Sequence, residues 1–231
     1  MNNHTLSSLR WRALARHQPS AFLLAAQLLS LALYAAFDRN PGGRAVISAF
    51  GVLVLALVVW VIVRSSTARR IAWFLVIPAL TLSLLSVFIA HPALLAWSSL
   101  LESVLYFYAA GTLIAYMMSD LRVTRDELFA AGATFTLLAW AFAYAYLVCQ
   151  TWLPESFTGA THPGEPRTFL ELLALSFTNL SATGLGDVMP ITPPARALVM
   201  LEQFAGVGYV AVVVSRLIGM TIGGRRGRGN A

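Results

Sequence analysis

The chain has no lysine: all sixteen basic residues are arginine, set against ten acids, for a net charge of +6. Charged residues of both signs make up only 11% of its 231 positions and hydrophobic residues 58%. A soluble domain of this length carries roughly a quarter charged residues. These figures exclude an ordinary soluble domain and imply a membrane protein. Cys149 is the one cysteine, so there is no intrachain disulfide, and no Cys/His spacing suited to a metal occurs. The four histidines, His4, His17, His91 and His162, lie outside the apolar runs, which argues against an intramembrane protease with a Ser–His pair. The basic balance does not point to nucleic acid, because the arginines flank apolar segments, where they set orientation and meet anionic headgroups. No internal repeat is visible, against the expectation for an inverted-repeat transporter.

What the chain does have is a series of apolar segments. A transmembrane helix needs about 20 apolar residues. The candidates are 21–37, 45–63, 71–90, 94–118, 128–153 and 195–220. The first follows Arg10, Arg12 and Arg16 and could be read as a signal peptide, but its apolar run exceeds the roughly 7–15 residues usual for one. With the N-terminus inside, the inner segments hold Arg10, Arg12, Arg16, Arg64, Arg69, Arg70, Arg122, Arg125, Arg216, Arg225, Arg226 and Arg228. The outer ones hold Arg39, Arg44, Arg167 and Arg196. This asymmetry places both termini in the cytoplasm. Loops are short, no separate soluble domain is expected, and the Gly- and Arg-rich end is expected to be disordered.

Between the fifth and sixth spans lies a half-length segment, 168–181. At about 1.5 Å per residue it reaches only some 21 Å, so it can enter the membrane but not cross it. Thr168-Phe-Leu-Glu171 has the form of a capping box, and Pro166 just before it marks a helix boundary. The C-terminal end of such a half-helix carries partial negative charge, so several ends aimed at one cavity stabilise a cation. The helix runs into Ser181-Ala182-Thr183-Gly184-Leu185-Gly186-Asp187. Glycine reaches positive φ without a Cβ clash, and alternation with ordinary residues lets successive carbonyls point one way. A ring of such strands replaces the water shell of a dehydrated cation with backbone oxygens.

The stretch LSFTNLSATGLGDVMPITPPARAL resembles the pore loop of tetrameric potassium channels, whose familiar core T-V-G-Y-G-D aligns with Ala182 to Asp187. The likeness extends through Pro190, Arg196, Glu202, Gly206 and Ser215–Gly219, and Val123–Leu128 resembles the corresponding stretch of bacterial six-helix ion channels. The resemblance implies an all-α membrane protein with six transmembrane helices. A re-entrant pore helix and selectivity filter would lie between helices 5 and 6, in a homotetramer closed by four copies. It divides the chain into a four-helix peripheral bundle in the voltage-sensor position (1–118), a linker (119–127), a pore domain (128–220) and a basic tail (221–231). It implies passive K+ conduction through the carbonyls of Thr183, Gly184, Leu185 and Gly186. Asp187 would brace the outer mouth and Gly206 would be a hinge. No enzyme activity, cofactor or soluble partner is expected. K+ is the permeant ion, and lipids of a bacterial inner membrane surround the protein. Alternatives are a weakly selective monovalent cation channel, a transporter or a non-conducting scaffold.

The chain departs from the family at three filter positions. Ala182 lacks a hydroxyl that would be an oxygen ligand at the innermost site. Thr183 replaces an apolar Val or Ile and needs a partner for its hydroxyl. Leu185 replaces a Tyr that ties the filter to surrounding helices. The fourth span carries no arginine, so little voltage dependence is expected. Its one charged residue is Glu102, which has two readings: a protonation switch, or a carboxyl hydrogen-bonded among helices. Glu202 has the same two readings, with support of the filter backbone as its structural role. The 119–127 linker is a solvated loop or a short interfacial helix. Trp11, Trp60, Trp73, Trp97 and Trp152 fall near span ends as interfacial anchors.

Overall fold

The computed structural model describes residues 18–37, 54, 56–58, 60, 74–82, 85, 89, 91–119, 124–160, 162, 164–216, 218 and 219. The expected second span (45–63) and third span (71–90) lie largely outside the described residues, although 74–82 are helical. Residues 120–123 of the linker and the 221–231 tail also lie outside them.

Among the described residues, four helices are long and apolar enough to cross a membrane. They are α1 (Pro19–Phe37), α2 (Pro92–Met118), α3 (Arg125–Trp152) and α5 (Pro193–Tyr209), the last continued by a π-helical turn at Val210–Val214. Between α3 and α5 lies the half-length α4 (Phe169–Leu180). Two-residue strands β1 (Phe157–Thr158) and β2 (Met189–Pro190) pair antiparallel, Phe157 opposite Pro190. They tie the loop before α4 to the loop after it.

Helix α3 is the centre of the assembly and touches α1, α2, α4 and α5. Its composition explains this. Ala130, Ala133, Ala139, Ala141 and Ala143 are fully buried, and such small side chains let neighbouring backbones approach closely. Trp140 fills the middle, with ring centroids 5.9 Å from Tyr34, 5.8 Å from Tyr106 and 6.1 Å from Phe169. One tryptophan thus joins α1 and α2 to the first residue of α4.

Helix α3 starts three residues earlier than the apolar run suggests. Thr124 accepts from the Glu127 amide at 3.3 Å, and the Glu127 carboxylate accepts from the Thr124 amide at 3.1 Å. This capping box draws Arg125, Asp126 and Glu127 out of the expected linker into the first helical turn. Asp126 also caps a neighbour: its carboxylate accepts from the Ser20 amide and the Ser20 hydroxyl, both at 3.1 Å. The start of α1 is thereby fixed to the start of α3. At that same end, the Arg216 guanidinium donates to the carbonyls of Met117 and Met118, the last residues of α2. The opposite end carries the α4 loop and a Trp97–Trp152 pair with centroids 5.9 Å apart.

Candidate pore helix and filter

Helix α4 begins as the sequence predicts. Thr168 accepts from the Glu171 amide at 3.3 Å, and Glu171 accepts from the Thr168 amide at 2.7 Å. Arg167, just before it, is buried. Its backbone amide donates to the Gln150 side-chain oxygen Oε1 at 2.7 Å, and its carbonyl accepts from Gln150 Nε2 at 3.0 Å. Its guanidinium donates to the backbone carbonyls of His162 and Glu165 and lies 3.7 Å from the Glu171 carboxylate. The start of α4 is therefore clamped to the end of α3.

The C-terminal end of α4 is closed by the chain that follows. Ala182 lies in the left-handed region at φ 58°. Its amide donates to the Asn179 carbonyl at 3.0 Å, and the Thr183 amide donates to the Thr178 carbonyl at 3.0 Å. This pair of bonds is a Schellman motif with alanine where glycine is usual. Gly184 follows at φ 64°, two positions on. Among residues 181–187 the positive φ values thus fall at Ala182 and Gly184, whereas Gly186 does not take one. The alternation starts one step before the glycines, because the helix cap supplies its first turn. The carbonyls of Thr178 and Asn179 are occupied by these amides, which the simple picture of free helix-end carbonyls does not include.

Thr183 finds the partner its hydroxyl needs: Oγ1 donates to the Thr178 carbonyl at 3.2 Å. Leu185 is 80% exposed, so its side chain packs little against the described residues. Asp187 is also exposed.

Glu202 does not reach the filter backbone, contrary to one reading of the sequence. It is fully buried on α5, and its two carboxyl oxygens take the Tyr146 hydroxyl from α3 and the Ser176 hydroxyl from α4. The spacing explains this, since Glu202 faces the body of α4 rather than the loop beyond it. Ser176 Oγ also donates to the Ala139 carbonyl at 2.7 Å. A hydroxyl has one proton, so both Ser176 contacts are satisfied together when the Glu202 side supplies a donor. Nearby, Gln203 Nε2 donates to Asn179 Oδ1 at 3.2 Å. Tyr146, Ser176 and Asn179 were not apparent as site residues, because no local pattern marks a helix residue whose partner is 24, 26 or 56 positions away.

Glu102 belongs to a different network. It is buried on α2, near Tyr144 and Tyr106. Tyr144 in turn lies against Phe169, with centroids 4.6 Å apart. The structure does not bring Glu102 and Glu202 together.

Gly206 owes its identity to packing. A Cβ there would collide with the backbone of Leu180, its carbonyl carbon only 2.8 Å away. The glycine lets α5 cross the end of α4 in direct backbone contact. The irregularity in the α5 hydrogen-bond ladder lies just beyond, at the π-helical Val210–Val214.

These elements form two long apolar helices around a capped half-helix and a loop of alternating backbone hand. A protein-family model described as an ion channel matches residues 132–222, less than half of the chain, running from the first third of α3 past the π turn. That match supports an ion channel. No curated protein and no solved structure matches the chain.

Proposed function

We propose that the protein is a potassium channel that conducts K+ passively as a homotetramer in the cell membrane. The observation that carries this reading is the capped α4 leading into a loop with positive φ at Ala182 and Gly184, inside the region similar to ion channels. Four such loops around an axis would present the carbonyls of Thr183, Gly184, Leu185 and Gly186 to a dehydrated ion. Asp187 would stand at the outer mouth. The exposed face of α5, with Leu201, Phe204 and Val207, would meet neighbouring copies and line the inner pore. The hinge assigned to Gly206 by resemblance fits the π turn Val210–Val214 better, since Gly206 is locked against Leu180. The end of the bundle holding Ser20, Asp126 and Arg216 would face the cytoplasm, in a bacterial inner membrane.

A weakly selective monovalent cation channel is the second reading. It is favoured by Ala182, which offers no side-chain oxygen at the innermost site. Purified protein in liposomes with opposed K+ and Na+ gradients separates the two readings. A reversal potential near that of K+ supports the first and a value near zero the second. Absence of any cation flux would favour a scaffold or transporter. Cross-linking that stops at two copies would overturn the tetramer.

A further inference from the structure

The last-turn carbonyl of Thr178 is a convergence point. It accepts from the Thr183 amide at 3.0 Å, the Gly184 amide at 3.1 Å, the Thr183 hydroxyl at 3.2 Å and the Ser181 hydroxyl at 3.3 Å. The two hydroxyls lie 3.1 Å apart. A carbonyl has two lone pairs, so the four donors share it, and the hydroxyl pair lets one Oγ donate to the other while that one donates to the carbonyl. The amides hold the backbone of residues 183 and 184 near the end of α4. The Thr183 side chain adds a second, independent attachment from the same residue and fixes its χ1 as well as its backbone.

Among the described residues, no side-chain hydrogen bond of this kind is made by residues 185–187. The Leu185 side chain has no polar atom and is 80% exposed, and a Cβ at Gly186 would meet only Thr178 Oγ1, at an ordinary 3.8 Å. Side-chain tethering of this loop within its own chain is therefore concentrated on Thr183. Resting on the channel reading above, we infer that Thr183 is the positioning residue of the filter: its hydroxyl pins residues 183 and 184 to the pore helix and so sets ion discrimination without itself coordinating an ion. Carbonyls that must replace a hydration shell discriminate between ions only if their positions are held, whether the holding acts through cavity size or through dipole orientation. A filter attached at its inner half keeps its Thr183 and Gly184 carbonyls in place even with a leucine at 185.

The test uses the full-length protein in liposomes and planar bilayers, comparing wild type with Thr183→Val and Thr183→Ser. Valine keeps the branched shape and removes the hydroxyl; serine keeps the hydroxyl and removes a methyl. Loss of one such hydrogen bond corresponds to about a two- to tenfold change in an equilibrium. The K+ over Na+ permeability ratio is expected to fall by that factor in Thr183→Val and to stay within about twofold of wild type in Thr183→Ser. Amide hydrogen exchange at residues 183 and 184 is expected to quicken in the valine variant alone. A selective wild type whose valine variant keeps or raises the ratio, with unchanged exchange, overturns the tether and leaves the channel reading intact. A wild type that carries no cation current overturns both.

Discussion

At the scale of single residues, the boundary between α4 and the loop rests on an alanine in a conformation that favours glycine. A Cβ in the left-handed region costs about 1–2 kcal/mol. Ala182→Gly is therefore expected to raise the thermal midpoint of the detergent-purified protein, offset in part by the greater freedom of glycine in the unfolded chain. Ala182→Val, with a branched side chain at φ 58°, is expected to lower it. A midpoint that falls in the glycine variant would contradict this backbone assignment. Glu202 is the other decisive position. Glu202→Leu leaves the Tyr146 hydroxyl without its partner inside the bundle, at a cost of roughly 1–2 kcal/mol. Glu202→Gln still accepts from Tyr146 through its oxygen and donates to Ser176 through its amide. Thermal unfolding is expected to place Gln close to wild type and Leu clearly below it; equal loss in both would mean that the charge, not the bonding pattern, is what matters.

At the scale of elements, the contact between α4 and α5 depends on one missing side chain. Gly206→Ala is expected to displace the end of α4 and abolish ion flux, because the new Cβ would meet Leu180 backbone rather than a movable side chain. Gly111→Ala is the control: nothing lies within 4 Å of a Cβ on that exposed stretch of α2. It is expected to leave flux intact and to stabilise α2 by up to about 1 kcal/mol through helix propensity. Flux and melting measured on both variants check the pair; normal flux in Gly206→Ala would show that α5 does not cross α4 this closely. Much of this architecture was legible in local chemistry. Thr168 and Glu171 announce the start of α4, and apolar length announces α1, α2, α3 and α5. The capping box at Thr124 and Glu127 has the same T-x-x-E form and was equally readable, but the surrounding charges suggested a loop. The contacts of Glu202 with Tyr146 and Ser176 were not readable, because they join three helices whose relative rotation no short pattern encodes. The positive φ at Ala182 was hidden for a related reason: the helix cap imposes it on a residue whose own preference is otherwise.

At the scale of the whole molecule, α2 is built to hold still rather than to follow the membrane field. Helix α2 makes its most extensive contact with α3 and buries Ser98, Ser99, Glu102 and Ser103. Ser103 donates to the Ala141 carbonyl at 2.8 Å, and the last α2 carbonyls receive Arg216, two residues past the π turn that continues α5. Sliding α2 through the membrane would break these bonds and leave buried polar groups unpaired. The driving force for such a movement is also missing. One elementary charge crossing the whole field contributes about 2.3 kcal/mol per 100 mV, and α2 carries no arginine or lysine at all. Its one acid, Glu102, is buried against α3 near Tyr144. Recordings in planar bilayers with symmetrical K+ are therefore expected to show open probability changing less than e-fold per roughly 25 mV, the steepness that a single full charge would give. A steeper dependence would require charge movement by an element other than α2. In that case the 45–90 region, which includes Arg64, Arg69 and Arg70, is where neutralising substitutions would have to flatten the curve.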